Sequence, residues 1–330
     1  MEQNQEKRLT EEEAAAGKAA LDKVIENVEK VVIGKRQAIE MILLAMLAKG
    51  HVLIEDVPGV GKTTLVSAVA KSVDCAFKRI QFTPDLMPSD VTGFSVYNQK
   101  SGEFEFRPGG VMSNMVLADE INRASAKTQA ALLEAMEEKQ VTVDSNTYKL
   151  EPPFMVLATQ NPVESFGTYP LPEAQLDRFM LKFSLGYPTL DEEADVIMIK
   201  QQTKEELMPV ISQNDVVELV NMAQRIYVAP SLVKYIVELV TATRTSADTV
   251  LGSSPRGGIA LCRTAQAMAL LRGRTYVLPD DIKFLAPYVL AHRLNLSHEA
   301  KIAKHTAVNV VERALEEVLV PAEIEKQSEA

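Results

Sequence analysis

The sequence predicts an α/β domain organised around a phosphate-binding turn and followed by an all-α domain. Three observations carry that prediction. The apolar run His51 to Ile54 leads into a glycine-bearing turn, EDVPGVGKTT from Glu55 to Thr64, and then into the helix-compatible run Leu65 to Lys71. A second apolar run, Met115 to Ala118, ends in the adjacent acids Asp119 and Glu120. From Thr189 onward strand signals vanish and amphipathic helical spacing dominates.

A chain of 330 residues has room for two domains that each bury a core. Its 46% hydrophobic and 24% charged composition is that of an ordinary globular protein. The balance of 35 Lys and Arg against 45 Asp and Glu leaves a formal charge of -10, which argues against a generic nucleic-acid groove. Cys75 and Cys262 lie far apart and read as buried free thiols, and His51, His292, His298 and His305 form no metal-like cluster. With no signal peptide and no apolar run long enough to span a bilayer, the cytoplasm follows by elimination.

In chain order, residues 1 to about 17, with Glu11, Glu12 and Glu13, read as a mobile start. Leu21, Val24, Ile25 and Val28 recur at helical spacing, and a second helix is expected from Lys35 to Ala48. Val32, Ile33 and Gly34 fit either the wall of an adenine pocket or plain core packing. In the turn, Gly61, Lys62 and Thr63 hold the last three places of GxxxxGK[ST], and Gly59 lets the backbone turn without a Cβ clash. The N–H groups from Val60 to Thr63 should meet phosphate at a helix N-terminus, with Pro58 and Thr64 completing the cradle. Lys62 suits the β and γ phosphates of ATP, and the Thr63 hydroxyl suits a Mg²⁺ position. Asp56 replaces the first glycine of the pattern, so its carboxylate must point away from the phosphates.

A strand is expected from Phe77 to Phe82, bringing Gln81 to the sheet's working end. The Pro- and Gly-punctuated stretch near residues 87–110, with Phe94, Val96, Phe104 and Phe106, reads as an inserted hairpin or loop. It is either a substrate-contacting element or a surface hairpin with no task. Asp119 is placed to hold the metal through water and Glu120 to polarise the attacking water. A helix from Ser125 to Lys139, a hairpin around Asp144 to Asn146 and a strand from Phe154 to Ala158 follow. That strand delivers Thr159, Gln160 and Asn161 to the same end as the phosphate turn, where Asn161 either holds water or forms a turn before Pro162. Arg178 closes the short helix of PEAQLDRF, before a strand near Met180 to Phe183. It either reaches a phosphate across a subunit boundary or pairs with Asp177 or Glu173.

The domain boundary falls at Pro188 and Thr189, giving a core domain over 18–188 and a helical domain over 189–330. Candidate helices run Leu190 to Lys204, Asp215 to Arg225, Ser231 to Thr245, Arg256 to Arg272, Asp280 to Leu294 and Glu299 to Leu319. In GSSPRGG, Pro255 suits the first helical position, whereas Arg256 in the first turn opposes the helix dipole; contact with a phosphate held between the two domains would explain it.

The motifs DVPGVGKT, VLADEINRA, VLATQNP, LPEAQLDRF and GSSPRGG, in that order, resemble those of the AAA+ ATPases, and the chain is similar within them to the MoxR family from about Ala20 to Pro321. The resemblance implies a five-stranded parallel sheet flanked by helices, a hairpin insert, a helical lid and a ring, usually a hexamer. It assigns Lys62 and Thr63 to Walker A, Asp119 and Glu120 to Walker B, Asn161 to sensor 1, Arg178 to the arginine finger and Arg256 to sensor 2. Arg123 becomes a second interfacial arginine, and Gln81 the polar residue that restrains Glu120 until substrate engages. ATP and Mg²⁺ are the implied cofactors. Von Willebrand factor A domain proteins and a protein client are the implied partners of a chaperone-like remodelling ATPase. A non-hydrolysing ATP switch, a chelatase-like subunit and a nucleic-acid motor are the alternatives.

Overall fold

The computed structural model describes residues 8–57, 59–161, 167–201 and 206–321. Its first helix, α1 (Glu11–Glu29), overturns the expectation that the chain is mobile to about residue 17. Thr10 caps it: the Thr10 hydroxyl accepts from Glu13 N, and the Glu13 carboxylate accepts from Thr10 N at 2.8 Å. The three acids that read as a solvated tail thus occupy a first turn, where the helix dipole favours negative charge. Ala14 and Gly17 are buried, and Glu13 pairs with Arg225 at 2.9 Å. Helix α2 (Arg36–Leu47) follows, buried from Ala38 to Leu47.

Strand β1 (Val52–Glu55) feeds the phosphate turn and helix α3 (Lys62–Ser72), and β2 (Phe77–Gln81) comes next. The expected insert is a one-turn helix, α4 (Pro88–Thr92), and an antiparallel hairpin of β3 (Gly93–Asn98) and β4 (Glu103–Pro108). Phe94, Tyr97 and Phe104 are exposed on it, while Phe106 stacks on Tyr148 with ring centres 3.8 Å apart. Strand β5 (Met115–Asp119) leads to α5 (Ala126–Glu138), whose N-cap is Ser125 as expected. Strands β6 (Gln140–Val143) and β7 (Asn146–Lys149) form a tight hairpin. Asp144 and Ser145 take the positive φ of 47° and 71° that such a turn needs. Strand β8 (Met155–Gln160), the short helix α6 (Glu173–Leu176) and β9 (Leu181–Phe183) complete the α/β part.

Five of these strands form a parallel sheet in the order β2-β5-β8-β1-β9. Both faces are covered, as unbroken apolar strands require. Val52, Ile54, Leu117 and Leu157 face α1, α2, α3 and the C-terminal helices; Leu53, Val116, Ala118 and Val156 face α5 and the insert. All C-terminal strand ends share one edge, with Gln81 opposite Asp119 and Ile54 opposite Thr159. That edge carries the phosphate turn.

The C-terminal part contains α7 (Leu190–Gln201), α8 (Gln213–Gln224), α9 (Pro230–Thr245), β10 (Thr249–Leu251), α10 (Pro255–Leu271), α11 (Pro279–Leu290), β11 (Asn295–Leu296), α12 (His298–Ile302) and α13 (Ala307–Glu317). It is helical apart from the small ribbon of β10 and β11, which sequence periodicity did not show. The helix expected from Glu299 to Leu319 is two helices. Lys304 takes a φ of 59°, and Thr306 opens the second with a capping box to Asn309. Helices α8 and α10 pack on α1 and α2 within one continuous apolar core, so the change of architecture near Thr189 is not a break in packing. Among the described residues, no helix is long and apolar enough to cross a membrane.

Candidate nucleotide site

Gly59 and Gly61 adopt φ of +90° and +89°, and no described atom lies within 4 Å of where a Cβ would stand on either. Only glycine takes both the angle and the open space without cost, so the inner face of the turn is bare backbone. Gly61 is the N-cap of α3 and offers no side-chain cap, leaving the first N–H groups from Lys62 to Thr64 for an outside acceptor. Lys62 Nζ rests on the carbonyls of Asp56 and Val57 at 3.2 and 3.3 Å. An open loop of N–H groups at the positive end of an eleven-residue helix, with an ammonium beside it, fits a polyphosphate. Pro58 lies outside the described residues; Val60 is half-buried against the core.

Asp56 turns away from this cradle, as its place in the pattern demands. It is 6% exposed, and its carboxylate accepts from Leu185 N and, at 3.3 Å, from Gly186 N. Lys35 Nζ grips the same segment from its other side, donating to the carbonyls of Leu185, Gly186 and Tyr187 at 2.9, 3.2 and 3.4 Å. The stretch linking β9 to α7 is thereby tied to the phosphate turn. Of the three residues offered for an adenine wall, Val32 is core, which leaves Ile33 and Gly34. A Cβ on Gly34 would overlap the Glu192 carboxylate, and its φ is +68°.

The two acids stand beside the cradle. Thr159 Oγ1 donates to Asp119 Oδ1 at 2.5 Å and accepts from Glu120 N at 2.8 Å. That second bond helps to hold Glu120 at φ 56° and ψ 50°, a left-handed conformation costing a non-glycine residue on the order of 1 kcal/mol or more. Glu120 Oε2 accepts from Gln81 Nε2 at 2.9 Å and from Arg123 Nη1 at 3.1 Å, so Gln81 makes the contact that the expected restraint requires. Asp119 Oδ2 accepts from Arg79 Nε at 3.1 Å and Nη2 at 2.6 Å. Thr63, half-buried in the first turn of α3, and Asp119 are the oxygens that would hold Mg²⁺. Asn161 is buried directly after β8, and Asp56 N donates to the preceding Gln160 carbonyl at 3.1 Å.

Arg178 and Arg256 are elsewhere. Helix α5 starts near Glu120 and runs back along the sheet, and His51 donates from Nε2 to Met136 O at 3.1 Å, placing the end of α5 at the start of β1. There Glu137 accepts from Arg178 at 3.1 Å and from Arg256 at 2.5 Å. Four strand residues separate this edge from the cradle, roughly 13 Å. The expectation that Arg256 meets a phosphate held between the two domains of its own chain is therefore not met. The start of α10 docks beside Arg178 instead, through Ser254 Oγ to the Asp177 carboxylate at 3.0 Å. Neither Asp177 nor Glu173 pairs with Arg178: Arg293 takes the first and Asn295 the second. Arg178 Nε is buried with no hydrogen-bond partner among the described residues, while its Nη2 bonds Glu137.

Behind Arg178 this second edge is held by buried hydrogen bonds. Arg293, 5% exposed, donates to the carbonyls of Asp177, Phe179 and Val289 at 2.6 to 2.8 Å besides its ion pair with Asp177. Burial pushes the His51 imidazole down to about 4 and that of His292, which donates to Phe179 O at 2.9 Å, down to about 3. Both rings are neutral at pH 7. Burial likewise raises the Cys75 thiol to about 11, making it inert; Cys262 is only half-buried. Sequence reasoning missed Arg79, Lys35, Glu137 and Arg293. Arg79 alone left a signal: two residues before Gln81 on a strand, it shares that residue's face.

Comparison with known proteins agrees with this geometry. Residues 51–181 match the model of the ATPase family associated with various cellular activities (AAA), and residues 241–314 match the AAA lid domain. The chain is 55% identical to the uncharacterized protein YeaC of Bacillus subtilis, covering 92% of this chain and 95% of that one. It is 42% identical to Chaperone MoxR1 of Mycobacterium tuberculosis over 93% of this chain and 84% of that one. A crystal structure from Cytophaga hutchinsonii, described provisionally as an ATPase, superposes with a TM-score of 0.89 at 44% identity, covering 94% of this chain and 98% of that one. With an open phosphate cradle, a restrained acidic pair, a lid and these relatives, the chain belongs to the MoxR family of AAA+ ATPases.

Proposed function

We propose that the protein hydrolyses ATP at sites shared between copies of itself in a ring, a hexamer, and uses the cycle to remodel or mature other proteins. One observation carries the reading: Lys62 and Glu120 stand at one edge of the sheet, and Arg178 and Arg256 at the other. A single chain cannot close both on one nucleotide, so the cations serve a neighbour's phosphate. Within the site, the cradle N–H groups and Lys62 bind and orient the phosphates, and Asn161 and Glu120 place and deprotonate the attacking water. Bound Mg²⁺ supplies positive charge to the transferring phosphoryl oxygens, held by Thr63 and Asp119. The name of the mycobacterial relative supports a chaperone role, and family resemblance supports a von Willebrand factor A domain protein as partner in the cytoplasm.

The test is steady-state ATP turnover per protomer, with Mg²⁺, over a wide range of protein concentration. A rate that climbs and then levels off is expected. A flat, near-zero rate despite ATP binding would favour a second reading, an ATP-binding switch that waits for a partner. The grip of Gln81 and Arg123 on Glu120 is the observation on its side. A chelatase-like or nucleic-acid motor finds no comparable support here, and the charge of -10 opposes the latter.

A further inference from the structure

The restraints on Asp119 and Glu120 are joined through one side chain. Asp119 has both oxygens engaged, Oδ1 by Thr159 and Oδ2 by Arg79, while Glu120 Oε2 is held by Gln81 and Arg123. The same Nη2 of Arg79 that donates to Asp119 at 2.6 Å also donates to Gln81 Oε1 at 2.6 Å. A primary amide has one accepting end and one donating end. With its oxygen fixed by a cation, the Gln81 amide must direct its nitrogen to Glu120, where it donates at 2.9 Å. Arg79 thus fixes which way Gln81 faces.

We propose that Arg79 is a positioning residue that couples the two acids. While its guanidinium holds Asp119, it also holds Gln81 in the orientation that restrains Glu120, and its withdrawal releases Asp119 Oδ2 and the Gln81 hold on Glu120 in one event, leaving the contacts of Thr159 and Arg123 in place. The inference rests on the reading of Asp119 as the metal-holding acid and Glu120 as the base. The geometry allows withdrawal: β2 is an edge strand, and the Arg79 side chain is 47% exposed against 12% for Asp119. A half-exposed pair of this kind is weak. A guanidinium and a second cation also repel one another at a shared carboxylate, so Arg79 opposes loading of Asp119 for as long as it stays.

The experiment uses the full chain. A fluorescent ADP analogue is titrated with and without Mg²⁺, and steady-state ATP turnover is measured alongside. In Arg79→Gln, the factor by which Mg²⁺ tightens ADP binding should grow about three- to fivefold, the scale of a half-exposed ion pair, and turnover without a partner should rise. Arg79→Lys keeps the charge without the planar fork, so it should raise turnover while leaving the Mg²⁺ factor near that of the unaltered protein. Gln81→Ala should raise turnover and leave the Mg²⁺ factor alone, and Arg79→Gln added to it should bring no further gain in turnover. An unchanged Mg²⁺ factor in Arg79→Gln would overturn the hold on Asp119. Additive gains in the double variant, or a loss of turnover in either single variant, would overturn the coupling through Gln81. The binding titration requires no hydrolysis, so a protein that never turns over ATP would count against the proposed function while the Mg²⁺ factor still decided the role of Arg79.

Discussion

The two edges of the parallel sheet are built on opposite principles. At the C-terminal edge each functional group is held by a contact that another ligand can replace: Lys62 by two carbonyls, Asp119 by Arg79, Glu120 by Gln81. At the N-terminal edge Arg178 stands on a segment pinned by a buried arginine and a neutral buried histidine, with Arg293 and His292 both on the carbonyl of Phe179. Under the proposed function the two edges have different work. An edge that binds, hydrolyses and releases needs exchangeable partners, whereas an edge that presents a cation to a neighbour needs a fixed position, because small misplacements of a charge are costly at a transition state.

The largest test of this division removes the presented cation. Arg178→Ala should bind nucleotide yet lose about 10³-fold or more in turnover, the scale of an arginine finger. Glu120→Gln should likewise keep binding and lose about 10²- to 10⁴-fold, the scale of a general base. Mixed together, the two inactive proteins should recover part of the rate, since some shared sites then pair an intact Glu120 with an intact Arg178. Equal activity of the mixture and its components would break the claim that the two edges act on each other across copies.

The next largest effect is on the rigidity of the N-terminal edge. Arg293→Met leaves the largely buried Asp177 carboxylate without its ion-pair partner and should cost roughly 3–5 kcal/mol in chemical denaturation. Turnover at saturating ATP should fall with it, because the segment carrying Arg178 loosens. Retained stability would mean that Ser254 alone is enough for Asp177.

Acid should reach the same edge. An imidazole that titrates at about 4 when folded and near 6.5 when unfolded makes the unfolded state bind more protons between those values. Stability is therefore full above about pH 6.5 and declines as the pH falls toward 4, by about 3 kcal/mol for His51 alone. The loss from His292 continues to about pH 3. Urea midpoints measured from pH 7 down to pH 4 should fall steadily, with hydrogen-exchange protection lost first around Phe179. A flat profile would show that these rings are not held neutral.

What the sequence made legible follows the same line between local and distant. The cradle was readable because its chemistry lies within ten consecutive residues, and two strands because their apolar runs stop at Ala118 and Ala158, one and two residues before the strands themselves end. The Ser125 cap and the Asp144–Ser145 turn are likewise local. Three acids at Glu11 to Glu13 misled because a first turn and a solvated tail have the same composition, and only Thr10 distinguishes them. The sharing of Glu137 by Arg178 and Arg256 joins residues from three separate elements, which no periodicity encodes. The break at Lys304 is invisible for another reason: lysine gives no sign that it will take a positive φ.

Asp56 provides the smallest and sharpest test, because it lies in the exchangeable edge but behaves like a part of the fixed one. Judged by the motif alone, Asp56→Gly restores the expected glycine and should improve nucleotide binding. The structure predicts otherwise: glycine leaves the N–H groups of Leu185 and Gly186 without their acceptor, at a cost of about 2 kcal/mol, the scale of hydrogen bonds to a charged group. Asp56→Asn, which keeps one accepting oxygen, should lose less. Hydrogen exchange at Leu185 and Gly186 should accelerate in both variants in that order, with ADP affinity falling or unchanged. Tighter ADP binding in Asp56→Gly with unaltered protection of those amides would show that the carboxylate only obstructs the cradle. The opposite result would make it the tie between the phosphate turn and the segment that leads into the helical lid.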